Sequence, residues 1–152
     1  MIIKKGTHKL AFLLLAITAP AFALAEMGPP DKPQVLVTNN RRVDFDWEKG
    51  EAASAVKWSI QLEGVVFCII KGNIVIDVAT FTLDADSKDT KHRLSWQDMM
   101  TALKKAAAKT FKVDPYDVKQ PEFRGTARVK GLDAENKAGP ASQASDPFNI
   151  PN

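Results

Sequence analysis

The residues that could do chemistry in this chain are few. Beyond the first 25 positions there is one histidine, His92 in Lys91-His92-Arg93, and one cysteine, Cys68 in Val65-Val66-Phe67-Cys68-Ile69-Ile70. Nucleophilic catalysis needs a base beside the nucleophile. A histidine between two cations reads as a solvated loop residue ahead of a helix, and a thiol in an apolar run reads as core. A small hydrolase using His92 with acids of the 84–89 loop is the enzymatic alternative; the reading adopted is non-catalytic. Asp84, Asp86 and Asp89 could offer oxygens to calcium, but Lys88 takes a ligand position, Asp89 stands where an EF-hand needs glycine, and Ser95 replaces the bidentate acid. One Cys and one His are too few for zinc. Glycine-rich phosphate loops are absent and no pattern pairs two carboxylates for glycoside hydrolysis. No cofactor and no metal are expected.

Recognition chemistry has more to work with. Trp47, Trp58 and Trp96 could stack on sugar rings, yet Trp47 and Trp58 fall on the apolar faces of alternating segments and read as core. Trp96 instead opens a helical pattern whose C-terminal half carries Lys104, Lys105, Lys109 and Lys112. These five residues are the candidate binding residues, for a protein or polysaccharide partner. A solvated helix face accounts for the lysines equally well.

The elements that must position them are short strands and one helix. Val43, Phe45 and Trp47 alternate with Asp44, Asp46 and Glu48; Val56, Trp58, Ile60 and Leu62 alternate with Lys57, Ser59, Gln61 and Glu63. Gln34 to Thr38 reads as an edge strand, and Ile74 to Leu83, opened by Lys71-Gly72-Asn73, as a β-branched one. Thr126 to Asp133 and Ser142 to Ile150 complete a two-sheet antiparallel sandwich. Ser95 to Phe111 breaks the pattern: Trp96, Met99, Met100, Leu103, Ala107 and Phe111 recur at helical spacing, Ser95 can cap, Asp98 suits a capping box, and Pro115 prevents continuation. The run Val65 to Ile70 is apolar on both strand faces, so its outer side needs a cover, and the helix is expected to supply it.

The address is the clearest reading. Lys4, Lys5 and Lys9 with no acid precede the apolar run Leu10 to Ala19, Pro20, and small residues at 23 and 25, the order of a secretory signal cut after Ala25. That run is too short to span a bilayer, so no integral membrane span is expected after processing. Loss of three basic residues from 21 leaves 18, against 18 acids, a balance that gives nucleic acid no electrostatic hold. About 127 residues remain, enough for one core. The expected layout is a cleaved signal at 1–25, a Pro-rich segment at 26–33 and one domain at 34–152. Absence of any Asn-x-Ser/Thr sequon fits an extracytoplasmic, periplasmic or secreted, protein of a bacterial envelope.

The strand pattern resembles a fibronectin type III domain, a seven-stranded immunoglobulin-like sandwich. The likeness is carried by Ala127-Arg128-Val129-Lys130-Gly131-Leu132-Asp133-Ala134-Glu135-Asn136 as sixth strand and turn, by Gly139-Pro140-Ala141-Ser142 ahead of the last strand, by Trp47 and Trp58 at core aromatic positions, and by the early prolines. Two features depart from it. The aromatic early in the sixth strand falls near Gly125, with Phe123 two residues off, and about 86–120, helix included, forms an insertion between the fifth and sixth strands. The resemblance implies a mainly β, seven-stranded sandwich with one inserted amphipathic helix at about 95–111. It further implies a binding module whose loops and helix meet a protein or polysaccharide of the cell envelope, or else a structural or assembly component of an envelope complex.

Overall fold

A computed structural model describes residues 26–39, 41–85 and 88–152; the expected signal at 1–25 lies outside them. Among the described residues, eight strands form two antiparallel sheets. β1 (Gln34–Thr38), β2 (Arg42–Asp46) and β5 (Lys91–Ser95) make the smaller, in the order β1-β2-β5. β3 (Lys57–Ile70), β4 (Asn73–Ala85), β6 (Val118–Leu132), β7 (Ala138–Ala141) and β8 (Phe148–Ile150) make the larger, in the order β4-β3-β6-β7 with β8 also on β6. This is a two-sheet sandwich whose strand order is fibronectin type III-like, with one helix among the described residues, α1 (Trp96–Phe111), between β5 and β6.

The alternation from Val56 and the apolar run to Ile70 are one strand. At about 3.3 Å per residue, β3 reaches about 46 Å, whereas the five-residue strands of the smaller sheet reach about 17 Å. The larger sheet therefore overhangs the smaller by more than half its length. Even-numbered side chains of β3 form one buried row: Trp58, Ile60 and Leu62 face the smaller sheet, and Val66, Cys68 and Ile70 continue beyond it. α1 contacts β4 and β6, the strands flanking β3, and so covers the overhang on that same inner side. Met99, Leu103 and Ala107 join Val66, Cys68, Val118 and Phe123 in the core cluster that also holds Val43, Phe45 and Trp47. The expectation that the helix covers the outer side of Val65 to Ile70 is corrected. An overhanging sheet with one uncovered inner face must bury that face first.

Local chemistry fixes α1 as expected. Ser95 accepts the Asp98 N–H at 3.1 Å and its hydroxyl donates to the Asp98 carboxylate at 2.7 Å, while Lys112 closes the helix in the left-handed region at φ 54°. The two halves meet where the register aligns Ala79, Gly64, Gly125 and Phe148 across four strands. A Cβ on Gly64 would strike the Arg124 carbonyl and come within 2.7 Å of the Gly125 Cα. The space left on the inner face is filled by rings: Phe123 stacks edge-on to Phe81 at 5.5 Å and lies 5.8 Å from Phe148. Phe123 is fully buried, so the sixth-strand aromatic serves the core from its shifted position.

Several boundaries differ from expectation, and β6, expected from Thr126, already starts at Val118. β5 pairs with β2 along its whole length, so the smaller sheet claims 91–95 and the insertion narrows to α1 and the 3₁₀ turn Pro115–Asp117. Of the expected seventh strand, Ser142 to Ile150, only β8 at Phe148–Ile150 is strand, and β7 at Ala138–Ala141 precedes it, which brings the count among the described residues to eight. Ser142 and Ser145 replace ladder carbonyls with hydroxyls, each accepting a β6 N–H (Val129 and Ala127, both 2.9 Å) while its own N–H donates back to the same residue at 2.8 Å. The Pro-rich segment is docked rather than loose, its backbone bonded to Glu48 and Glu51.

Candidate functional site

The chemically capable residues are dispersed. His92 is not a solvated loop residue: it lies in β5 opposite Phe45, half-buried, with its ring 6.4 Å from that ring. Burial lowers its pKa below the ordinary histidine value, so it is neutral at pH 7. Cys68 is buried on the helix-covered half, and burial pushes its thiol upward, away from the reactive thiolate. Asp84 is exposed at the far end of β4, Asp86 lies outside the described residues, and no three metal-ligating side chains gather among the described residues. Trp47 and Trp58 meet edge-to-face at 5.5 Å in the core, with no indole N–H offered to a ligand. Trp96 is half-buried against the same core.

The outer face of the larger sheet is where the molecule looks unfinished. Near the sandwich it is polar: Ser59, Gln61 and Glu63 of β3 stand beside Asp84, Thr82 and Thr80 of β4 and beside Lys130, Arg128 and Thr126 of β6. Past Gly64 the same face of the β3–β4 hairpin turns apolar, as Val65, Phe67 and Ile69 pair with Val78, Ile76 and Ile74. The last three are 69%, 59% and 76% exposed. Phe67 is partly roofed by the Arg124 guanidinium, 5.4 Å from its ring centre. The turn Lys71-Gly72, with φ of 51° and 81°, locks this register, and a one-residue slip would exchange the two faces of β4.

β4 is also an edge. Among the described residues it pairs with β3 alone, leaving a 13-residue strand open along its other side. On the inner side of that edge runs a groove of about 380 Å³, between Phe81 and Thr82 and a stripe of α1 that includes Ala102, Lys105, Ala106 and Lys109. Lys104, Lys105, Lys109 and Lys112 are all exposed, and none forms an ion pair among the described residues. The structure thus brings two of the five candidate binding residues, Lys105 and Lys109, to a groove beside an open strand. Lys104, Lys112 and Trp96 do not line it. Ile74, Ile76 and Val78 were missed as site residues, although the two-sided apolar run opposite them was the signal. A wider cleft of about 870 Å³ at the N-terminal segment is polar and carries the Lys32–Asp146 ion pair at 2.6 Å.

No protein-family model matches the chain, and no curated protein matches it. Solved structures are similar at low identity. The third fibronectin III domain of the human KIAA0343 protein shares 17% identity, with 84% of each chain covered and a TM-score of 0.45. Titin kinase with its flanking domains shares 12%, with a TM-score of 0.38, covering 81% of this chain and 17% of that one. A myokine structure shares 10%, with a TM-score of 0.37 and coverage of 82% and 96%. The fibronectin type III-like architecture is read from the strand order itself, and likeness at this level carries nothing about activity.

Proposed function

We propose that this protein is an exported, non-catalytic module that binds a protein partner through the β3–β4 hairpin and the adjoining face of α1, as an assembly component of a cell envelope. One observation carries the reading: an apolar row, Ile74, Ile76 and Val78, stands exposed on a strand whose outer edge is unpaired among the described residues. Water tolerates both features poorly, and a protein surface satisfies both at once. Burying those three side chains is worth about 5 kcal/mol before the costs of association. Export is supported by the basic, apolar and small-residue order of 1–25. A polysaccharide partner is the weaker alternative, because two of the three tryptophans are enclosed in the core. Catalysis is disfavoured by the separation of His92 and Cys68 into different halves of the core.

A photoreactive residue at position 76, in the cell, tests the reading. The expected result is a discrete cross-linked protein product that disappears with Ile74→Ser and Val78→Ser and is absent from position 36, exposed on the other sheet. Identical products from both positions would sink it. Mass spectrometry of the N-terminus should find Glu26 first in the extracytoplasmic fraction.

A further inference from the structure

We infer that β4 receives an extended segment of the partner by strand addition, and that this segment carries acidic side chains which seat on Lys105 and Lys109 in the groove beside α1. The inference rests on the protein-binding reading above and specifies its chemistry.

The backbone supplies the first argument. In a two-residue hairpin the pair beside the turn, here Ile70 and Asn73, is hydrogen-bonded, and alternation from there directs the N–H and C=O of Ile74, Ile76, Val78, Thr80 and Thr82 to the open side. The chain itself fills one of these positions: the Asp77 carboxylate accepts the Val78 N–H at 2.7 Å, where an incoming carbonyl would otherwise sit. A charge in mid-edge blunts indiscriminate pairing of apolar strands. It leaves the stretches on either side free to pair.

The walls supply the second. Side chains of an added strand would alternate between two environments. On the outer face they would lie beside Ile74, Ile76 and Val78 and should be apolar. On the inner face they would enter the groove over Ala102 and Ala106, whose small side chains leave room, and meet the two lysines. Lys105 and Lys109 are one turn apart, about 6 Å along the helix axis, close to the separation of about 6.7 Å between alternate residues of a strand. Acids at alternate positions therefore have nearly the spacing of the two cations. Asp98, the acid lining the same groove, is already held by Ser95.

Charge also decides against a second copy of this chain as the occupant. Antiparallel pairing of β4 with itself, about a two-fold axis normal to the sheet, would put both helices on one face. Lys105 and Lys109 of both copies would then crowd the same face of the seam, where Asp98 is already held by Ser95 and Asp77 by the Val78 N–H.

The test is selection of a displayed library of random ten-residue peptides on the protein. Enriched peptides should alternate acidic and apolar residues. Binding of such a peptide should slow amide exchange at Ile74, Ile76, Thr80 and Thr82 at least tenfold, weaken at least tenfold in Lys105→Glu/Lys109→Glu, and vanish in Thr82→Pro, which removes an edge N–H but no β3–β4 bond. The lysine variant keeps the test decisive should the proline variant unfold. No enrichment, or enrichment without acidic residues, overturns the inference. Peptides that bind the Ile74, Ile76 and Val78 face but leave β4 amides unprotected and ignore the lysine changes overturn strand addition while sparing the protein-binding reading. A concentration-dependent dimer abolished by Thr82→Pro overturns it in favour of self-pairing.

Discussion

The same two strands, β3 and β4, run through both halves of the molecule, yet the halves meet water differently. In the sandwich half both outer faces are mainly polar, with Leu36 the one large apolar side chain exposed on the smaller sheet among the described residues. On the smaller sheet Arg42 and Arg93 share Asp44, at 2.8 and 3.3 Å, and Lys91 pairs with Asp46 at 3.3 Å. On the larger sheet the outer residues as far as Glu63 are polar. In the overhanging half the inner face is covered by a helix instead of a sheet, and the outer face of the hairpin carries six apolar side chains. A helix is a sufficient second layer for one side only. The overhang thus closes its core while keeping an apolar outer face exposed, whereas the sandwich covers its core with mainly polar outer faces.

The comparison can be broken at the core first. Trp58→Ala in the sandwich should cost about 4 kcal/mol and Leu103→Ala under the helix about 3 kcal/mol. Because one cluster joins both sites, each should shift a single unfolding transition in denaturant. A second transition appearing only in Leu103→Ala would mean that the halves fold separately. Gly64→Ala, at the junction, should cost about 2 kcal/mol by forcing β3 away from the Arg124 carbonyl, read as a lowered midpoint with an unchanged slope.

A smaller effect separates the halves by pH. His92 belongs to the sandwich, and burial lowers its pKa in the folded state. Above about 6.5 it is neutral in both states. As pH falls below that value the unfolded chain takes up a proton that the folded chain resists, so stability declines until the folded pKa is passed and then levels off. Thermal melts should show that decline, and His92→Phe should remove its share of it. The smallest effect sharpens the contrast most. Ile74→Thr and Val78→Thr together should leave the folding midpoint within about 0.5 kcal/mol of the parent while abolishing the position-76 cross-link. A large loss of stability would mean that these side chains serve the fold instead of a partner.

Much of this was written locally. Alternation gave β2 and the first half of β3, Lys71-Gly72 gave the hairpin turn, the cysteine in an apolar run gave a buried thiol, and Ser95, Asp98 and the period of α1 gave its cap and buried face. Each depends on residues within one turn or one strand of one another, where backbone sterics and side-chain spacing are decisive. β5 escaped because Lys91-His92-Arg93-Leu94 offers too short an alternation to announce a strand, and it exists because β2 needs a neighbour. The serines of the last strand escaped because a hydroxyl can stand in for a carbonyl only where the facing strand presents the matching N–H. The side on which α1 lies was decided by the unequal lengths of two sheets, a relation between segments far apart in the chain. The apolar run Val65 to Ile70 announces locally that both of its faces need cover, but which face is covered and which stays open depends on how far one sheet outreaches the other, and that is settled only when the two sheets pack.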